Sequence, residues 1–431
     1  MSKWENILLD KLCNFEKGNT GLAKAIEGIY PLITTSSERK TCNTYQFDTK
    51  AVCIPLVSST GHGHASINNI HYQEGKFALG TILVALIPKD ENILNSKFLH
   101  LYLSRLKDII LVPLMTGAAN VSLSVSKIKN VKIPLPPINE QIKIVKKFES
   151  IVDEQKELDF EIENQKTLLT KLKQSILQEA IEGKLTANWR EENQDIETAS
   201  VLLEKIQTEK EQLIKEKKIK KSKPLAKISE EEIPFEIPES WEWCRFQNIV
   251  DFSLGKTPPS KDISYWNNAN YNWVSISDMT DYGIVNDTQR KVNEKSKNEV
   301  FKYPSIKQGT LLMSFKLTVG RTSILNTDAY HNEAIISITP FDGINKMYLF
   351  YLLPLLTSLT DKRSAIKGNT LNKDKLLKMK IALPPSNEQI EIVNKIEKLF
   401  AICAELEEQI NSSKQNTQTL MQAVLKEAFE R

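Results

Sequence analysis

No apolar run in this 431-residue sequence approaches the roughly 18 residues that a membrane-spanning helix needs; the greasiest stretch, Leu349 to Leu356, stops well short. The opening Met1-Ser2-Lys3-Trp4-Glu5 lacks the charged-then-apolar pattern of a secretion signal. Five cysteines (Cys13, Cys42, Cys53, Cys244 and Cys403) are scattered without a CxxC pair, so neither a disulfide framework nor a zinc knuckle is indicated, and a reducing cytoplasm is the expected setting.

Catalytic signatures are missing too. A methyltransferase acting on an exocyclic base nitrogen needs a Gly-rich cofactor turn and an Asn/Asp-Pro-Pro-aromatic loop that holds the flipped base, and neither occurs. The two Pro-Pro pairs follow Leu135 and Leu383, with no amide or carboxylate beside them, and read as helix punctuation. Leu254-Gly255-Lys256-Thr257 resembles the end of a phosphate loop, but Val250 stands where the first glycine belongs. His62 and His64, with His71 nearby, have no carboxylate or cysteine at ligand spacing, so that loop reads as a donor-rich surface and not as a metal site. No Ser/His/Asp or Cys/His arrangement is recognisable.

What is present is a duplication. Ile133-Pro134-Leu135-Pro136-Pro137-Ile138-Asn139-Glu140-Gln141-Ile142 returns as Ile381-Ala382-Leu383-Pro384-Pro385-Ser386-Asn387-Glu388-Gln389-Ile390, with eight identities in ten. Each copy reads as a strand end, a proline stop and a helix start, with Asn139 and Asn387 as caps and Glu140 and Glu388 facing the positive helix end. A coiled-coil seam follows in the same register: Val145, Phe148, Val152, Leu158, Ile162, Leu169, Leu172 and Ile176, then Val393, Ile396, Phe400, Leu406, Ile410, Leu420 and Val424, with Thr417 opposite Leu169 in the alignment.

The blocks before these helices repeat as well. Short β-like runs (Tyr30 to Ile33, Val52 to Val57, Thr81 to Ile87) and a helix from Lys97 to about Ile110 precede the strand Val131 to Leu135. In the second block Gly309-Thr310-Leu311-Leu312 echoes Gly80-Thr81-Ile82-Leu83, and the helix from Lys346 echoes that from Lys97. Gly183 ends the first long helix, and Asp195 is the expected cap of a connector helix running to about Lys220. The predicted organisation is therefore a domain at 1–137, a long helix at 138–183, a connector at 184–237, a second domain at 238–385 and a second long helix at 386–431. The fold class is α+β: two mixed α/β domains and long coiled-coil helices in an internal tandem repeat.

Net charge of +3 conceals a division. Residues 1–137 hold 15 Lys and Arg against 10 Asp and Glu, residues 238–383 hold 19 against 14, and the remainder holds 23 against 30. Two basic modules on an acidic helical scaffold suit nucleic-acid contact through the modules.

These residues resemble the specificity subunits of type I restriction-modification systems. The resemblance rests on the repeated Leu-Pro-Pro-x-Asn-Glu-Gln-Ile helix starts, Gly183-Lys184-Leu185-Thr186 with Trp189-Arg190, Ile237-Pro238-Glu239-Ser240-Trp241, and the openings Lys17-Gly18-Asn19-Thr20 and Leu254-Gly255-Lys256-Thr257-Pro258. The first opening departs in having Thr20-Gly21 where the second has Thr257-Pro258. The resemblance implies two target-recognition domains in inverted orientation, each reading half of a bipartite site in double-stranded DNA, with the long helices packed antiparallel to set the gap. It implies methyltransferase (M) partners that carry S-adenosylmethionine and methylate adenine, restriction/translocase (R) partners that use ATP and Mg, and no cofactor, metal or catalytic residue in this chain. A coiled-coil adaptor without DNA recognition is the rival, and it leaves the divergence of the polar loops unexplained.

Base edges are read by Asn, Gln, Arg, Lys, Ser and Thr. Candidates in the first block are Ser36, Ser37, Arg39, Lys40, Ser58, Ser59, Thr60, His62, His64, Asn68 and Asn69. Those in the second are Lys256, Thr257, Ser260, Lys261, Tyr265, Asn267, Asn268, Lys316, Thr318, Arg321, Lys367, Asn369 and Thr370.

Overall fold

The computed structural model describes residues 4–60, 63–118, 120–221, 223–226, 228–316, 318–360 and 373–430. It divides into two compact units, Met1–Asn164 with Ile410–Arg431, and Gln165–Gln409.

In the first unit, β1 (Asn6–Leu8) is followed by β2 (Cys13–Lys17), β3 (Tyr30–Ile33), β4 (Lys40–Cys42), β5 (Phe47–Asp48), β6 (Ala51–Pro55), β7 (His71–Gln73), β8 (Lys76–Leu79) and β9 (Leu83–Pro88). A helix, Ser96–Ile110, then leads to β10 (Lys132–Pro134). The strands form sheets in the orders β2-β9-β6-β7 and β4-β3-β8-β5, while β1 closes against β10. All of β6 is buried, as its unbroken apolar run requires of a central strand covered on both faces. Phe98, Leu99 and Leu103 of the helix pack with Val52, Ile54 and Leu86 in one core, so the helix covers one face of the first sheet.

The second unit holds β11 (Glu242–Arg245), β12 (Val250–Leu254), β13 (Tyr271–Val274), β14 (Gly283–Val285), β15 (Arg290–Val292), β16 (Leu311–Ser314), β17 (Thr322–Leu325), β18 (Ala329–His331), β19 (Ile335–Pro340), the helix Lys346–Thr360 and β20 (Lys380–Leu383). Its sheet orders are β12-β19-β16-β17-β14 and β15-β13-β18, with β11 against β20. The apolar stretch from Leu349 is the buried part of the domain helix, with Leu349, Leu352 and Leu353 wholly covered. Among the described residues, no helix is long and apolar enough to cross a membrane.

The two domains share the sheet orders β2-β9-β6-β7 with β12-β19-β16-β17 and β4-β3-β8 with β15-β13-β18, while β5 and β14 have no counterpart, and this corrects one sequence equivalence. Both β9 and β19 lie between their opening strand (β2, β12) and the next sheet member (β6, β16), so β16 corresponds to β6. Gly80 to Leu83 therefore matches the turn before β19, and Gly309 to Leu312 matches the start of β6. The opening glycines agree: a Cβ on Gly18 would stand 2.1 Å from the Gly80 carbonyl oxygen, and one on Gly255 2.1 Å from that of His331. In each domain the backbone passes too close at this turn for any side chain.

The long helices are Ile138–Ile181 and Ser386–Glu430. Asn139 and Asn387 lie inside the first turn and are not caps, because the Pro137 and Pro385 carbonyls already accept the first helical bonds, from Gln141 N at 3.1 Å and Gln389 N at 3.0 Å. The wholly buried glutamine of each motif has a role the sequence did not suggest. Gln141 Oε1 accepts from Asn95 N at 2.8 Å while its Nε2 donates to the Ile93 and Pro136 carbonyls, both at 2.8 Å. Gln389 likewise accepts from Asn345 N at 2.8 Å and donates to the Pro384 carbonyl at 3.0 Å. Asn95 and Asn345 cap the domain helices, accepting from Phe98 N and Tyr348 N respectively. Each glutamine thus ties the start of a long helix to the start of its domain helix.

Gly183, at φ +73°, ends the first long helix, with Lys184 N donating to the Glu179 carbonyl at 2.9 Å. The connector helix is Ala199–Lys215 with Thr198 as its cap. It starts later than expected from Asp195, because Ala199 N is anchored by the Ser240 carbonyl at 2.9 Å. It stops earlier than Lys220, because Lys217 turns to φ +59° and Lys218 N closes on the Leu213 carbonyl.

Candidate nucleic-acid interface

In the first domain many candidate side chains brace their own loops. Ser58 Oγ donates to the His64 carbonyl at 2.5 Å, Thr60 Oγ1 meets Ser66 Oγ at 2.9 Å, and Ser59 Oγ accepts from Asn68 N at 2.9 Å. Ser36 Oγ accepts from Glu38 N at 3.2 Å, Asn69 Nδ2 donates to the Thr35 carbonyl at 3.0 Å, and Arg39 donates to the Tyr72 carbonyl at 3.2 Å. Beneath them sits His71, whose pKa is lowered to about 4, chiefly by burial and then by the Arg39 charge. The exposed side chains of Ser37, Lys40, His64 and Asn68 make no hydrogen bond among the described residues. His62 lies outside them.

The second domain divides in the same way. Lys256 Nζ donates to the Val300 carbonyl at 2.8 Å, Thr257 bonds Glu333, and Tyr265 donates to Glu299 at 2.9 Å. Arg321 donates from Nε to Asp281 at 2.9 Å and to the Met279 carbonyl at 3.1 Å. Asn268, at φ +51°, shapes a turn. Exposed Ser260, Lys261 and Asn267 have uncommitted side chains among the described residues; Lys316 rests 5.5 Å over the Phe315 ring, and Thr318 offers only its carbonyl, to Ser314. Lys367, Asn369 and Thr370 lie outside the described residues.

The sequence reading passed over a basic and aromatic cluster in this domain. Arg290 lies 3.5 Å over the Trp266 ring, Lys295 4.3 Å over Tyr265 and Lys297 5.0 Å over Tyr271. Its signal was available as cations interleaved with aromatics between residues 265 and 297.

The family description "Type I restriction modification DNA specificity domain" matches residues 1–169 and again 238–413. The chain belongs to this type I restriction-modification specificity family. The specificity subunit of the type I restriction enzyme EcoEI of Escherichia coli is 29% identical over 59% of this chain, and that of EcoAI, also from Escherichia coli, 33% identical over 59%. These matches span less than half of either relative, 44% and 43% of its length. The crystal structure of the HsdS subunit from Thermoanaerobacter tengcongensis shares the fold, with a TM-score of 0.56 at 18% identity, covering 99% of this chain and 96% of that one.

Three of the motifs that carried the sequence resemblance meet at one carboxylate. Glu388 is wholly buried and accepts from Thr186 Oγ1 at 2.7 Å, from Trp241 Nε1 at 2.8 Å and from Arg190, which also donates to the Gly183 carbonyl at 2.8 Å. In the first copy of the motif Glu140 is half exposed and pairs with Lys143 at 2.8 Å.

Within the second unit the long helices run antiparallel: Lys173 pairs with Glu407 at 3.0 Å, and Lys395 donates to the Leu185 carbonyl at 3.1 Å. Of the expected seam, Val145, Ile162, Leu169, Ile176, Val393 and Ile396 are buried, and Phe148, Val152, Phe400 and Ile410 are half-buried. Leu158, Leu172, Leu406 and Leu420 are instead exposed. Leu172 and Leu406 stand about 80° round their helices from Ile162 and Ile396, outside a stripe narrower than the sequence reading, and Cys403 takes an inward position. The Val424 side chain lies outside what is described.

Proposed function

We propose that this chain is the DNA-reading subunit of a type I restriction-modification complex in the cytoplasm, each domain recognising one half of a bipartite site. The carrying observation is the pair of domains that share a common core of sheet order, locked by the same glutamine to equivalent helix starts, whose polar loops differ. Sharing a scaffold while varying the donor-bearing loops is what reading two different base sequences requires. The long helices hold the spacing and dock methyltransferase subunits; within the second unit Leu168 and Leu172, 54% and 45% exposed, supply apolar surface for a protein partner. Adenine methylation with S-adenosylmethionine, and cleavage driven by ATP with Mg, belong to the partner subunits. Within this chain we place the domain boundaries at 137, 183, 237 and 385.

The test exchanges residues 238–385 for the corresponding domain of another family member and reads the methylated motif in cells carrying the system. One half of the motif should change and the other persist. A change in both halves, or in neither, overturns independent readout.

A further inference from the structure

The geometry points to Arg290 as a guanine-reading residue of the second domain, an inference that rests on the DNA-reading role above. Arg290 begins β15 and stands opposite Trp273 of β13 in the antiparallel register. Its guanidinium carbon is 3.5 Å from the centre of the Trp266 ring, stacking distance, and 5.6 Å from that of Trp273. Neither indole is free to swing away. Trp266 Nε1 donates to the Pro259 carbonyl and Trp273 Nε1 to that of Lys256, each at 3.0 Å, and the two rings meet edge to face at 5.2 Å.

An exposed arginine ordinarily spreads over many rotamers and gives up that freedom when it binds. Here the indole face holds the guanidinium before any ligand arrives, which lowers the ordering cost of recognition. Stacking occupies the face of the guanidinium and leaves its N–H groups, which lie in its plane. No acceptor bonds them among the described residues, and β15 is an edge strand with no further strand beyond it. Arg321, by contrast, has already spent donors on Asp281 and the Met279 carbonyl.

A fixed, unsatisfied fork matches two adjacent acceptors, and guanine presents O6 and N7 together in the major groove. A phosphate needs only charge within reach, which the exposed Lys261 supplies without a preset plane. The division follows: the stacked arginine reads a base, and the free lysine holds the backbone.

The experiment selects binding sites from randomised double-stranded DNA, using the full chain assembled with its methyltransferase subunits, as wild type, Arg290→Ala and Arg290→Lys. Wild type should recover a bipartite motif. Arg290→Ala should lose the guanine preference at one position of one half-site by about 5- to 150-fold, equivalent to about 1–3 kcal/mol, with other positions unchanged. Arg290→Lys keeps the charge and the packing stem but not the fork, and should relax the same position. A motif retained by both variants, with affinity either unchanged or uniformly lowered, overturns the assignment and leaves the DNA-reading function standing. A wild-type assembly that recovers no motif overturns that function and this inference with it.

Discussion

Replacing Glu388 by alanine should cost several times more stability than replacing Glu140, although both occupy the same place in a repeated motif. Truncating Glu388 strands three donors: the Thr186 hydroxyl, wholly buried; the Trp241 indole N–H, in a ring 4% exposed; and the Arg190 guanidinium, 21% exposed. Removing one partner of a buried ion pair costs about 3–5 kcal/mol, and the lower end applies because Arg190 keeps the Gly183 carbonyl and some water. Glu140 is 47% exposed and its partner Lys143 71%, so only a surface pair and a helix-end charge are lost, together below about 1 kcal/mol. Urea unfolding measures the costs, and hydrogen exchange across residues 183–190 and 241–245 localises them, since two units need not unfold as one. A double-mutant cycle of Glu388→Ala with Arg190→Ala should show coupling above about 1 kcal/mol. Equal costs for the two glutamates, or additivity within about 0.5 kcal/mol, would refute the reasoning.

The purified chain should transfer no methyl group from labelled S-adenosylmethionine to DNA until methyltransferase subunits are added; incorporation by the chain alone contradicts the proposed role. Another prediction concerns acid. Burial holds His71 and His331 at a pKa of about 4, below the ordinary 6.5, so the unfolded chain takes up protons first as the pH falls. Their contribution is complete above pH 6.5 and is lost between pH 6.5 and 4, at about 1.4 kcal/mol per pH unit for each histidine where the slope is steepest. His71→Gln should flatten part of that slope in unfolding measured across the range, and an unchanged slope removes His71 as a cause.

Both helix starts, the domain helices and strands such as β3, β6, β9 and β10 were legible, because they rest on local signals: paired prolines, seam periodicity, and apolar runs bounded by turn residues. The roles of the motif residues were not. Gln141 and Gln389 bond backbone 46 and 44 positions away, and Glu388 bonds side chains 147 to 202 positions away, separations across which spacing carries no information. The mistaken match of Gly309 to Gly80 has the same origin. Gly-Thr followed by apolar residues marks the entry to many strands, and only the pairing of β16 with β19 says which strand it is. Residue type alone favoured Arg321, which has committed donors to Asp281 and the Met279 carbonyl, and gave no reason to choose Arg290, whose guanidinium bonds no acceptor among the described residues.

Because Thr186 and Trp241 both end on Glu388, the chain leaves one point at residue 186 and returns to it at 241. Everything between is an excursion closed at its base. Extra residues placed in this span between the exposed Lys220 and Lys221 would lengthen a loop whose ends are already fixed, at about 0.6 kcal/mol per doubling of length. That exposed pair is therefore where an affinity tag or a fluorescent domain can be grafted with both ends of the connector held in place.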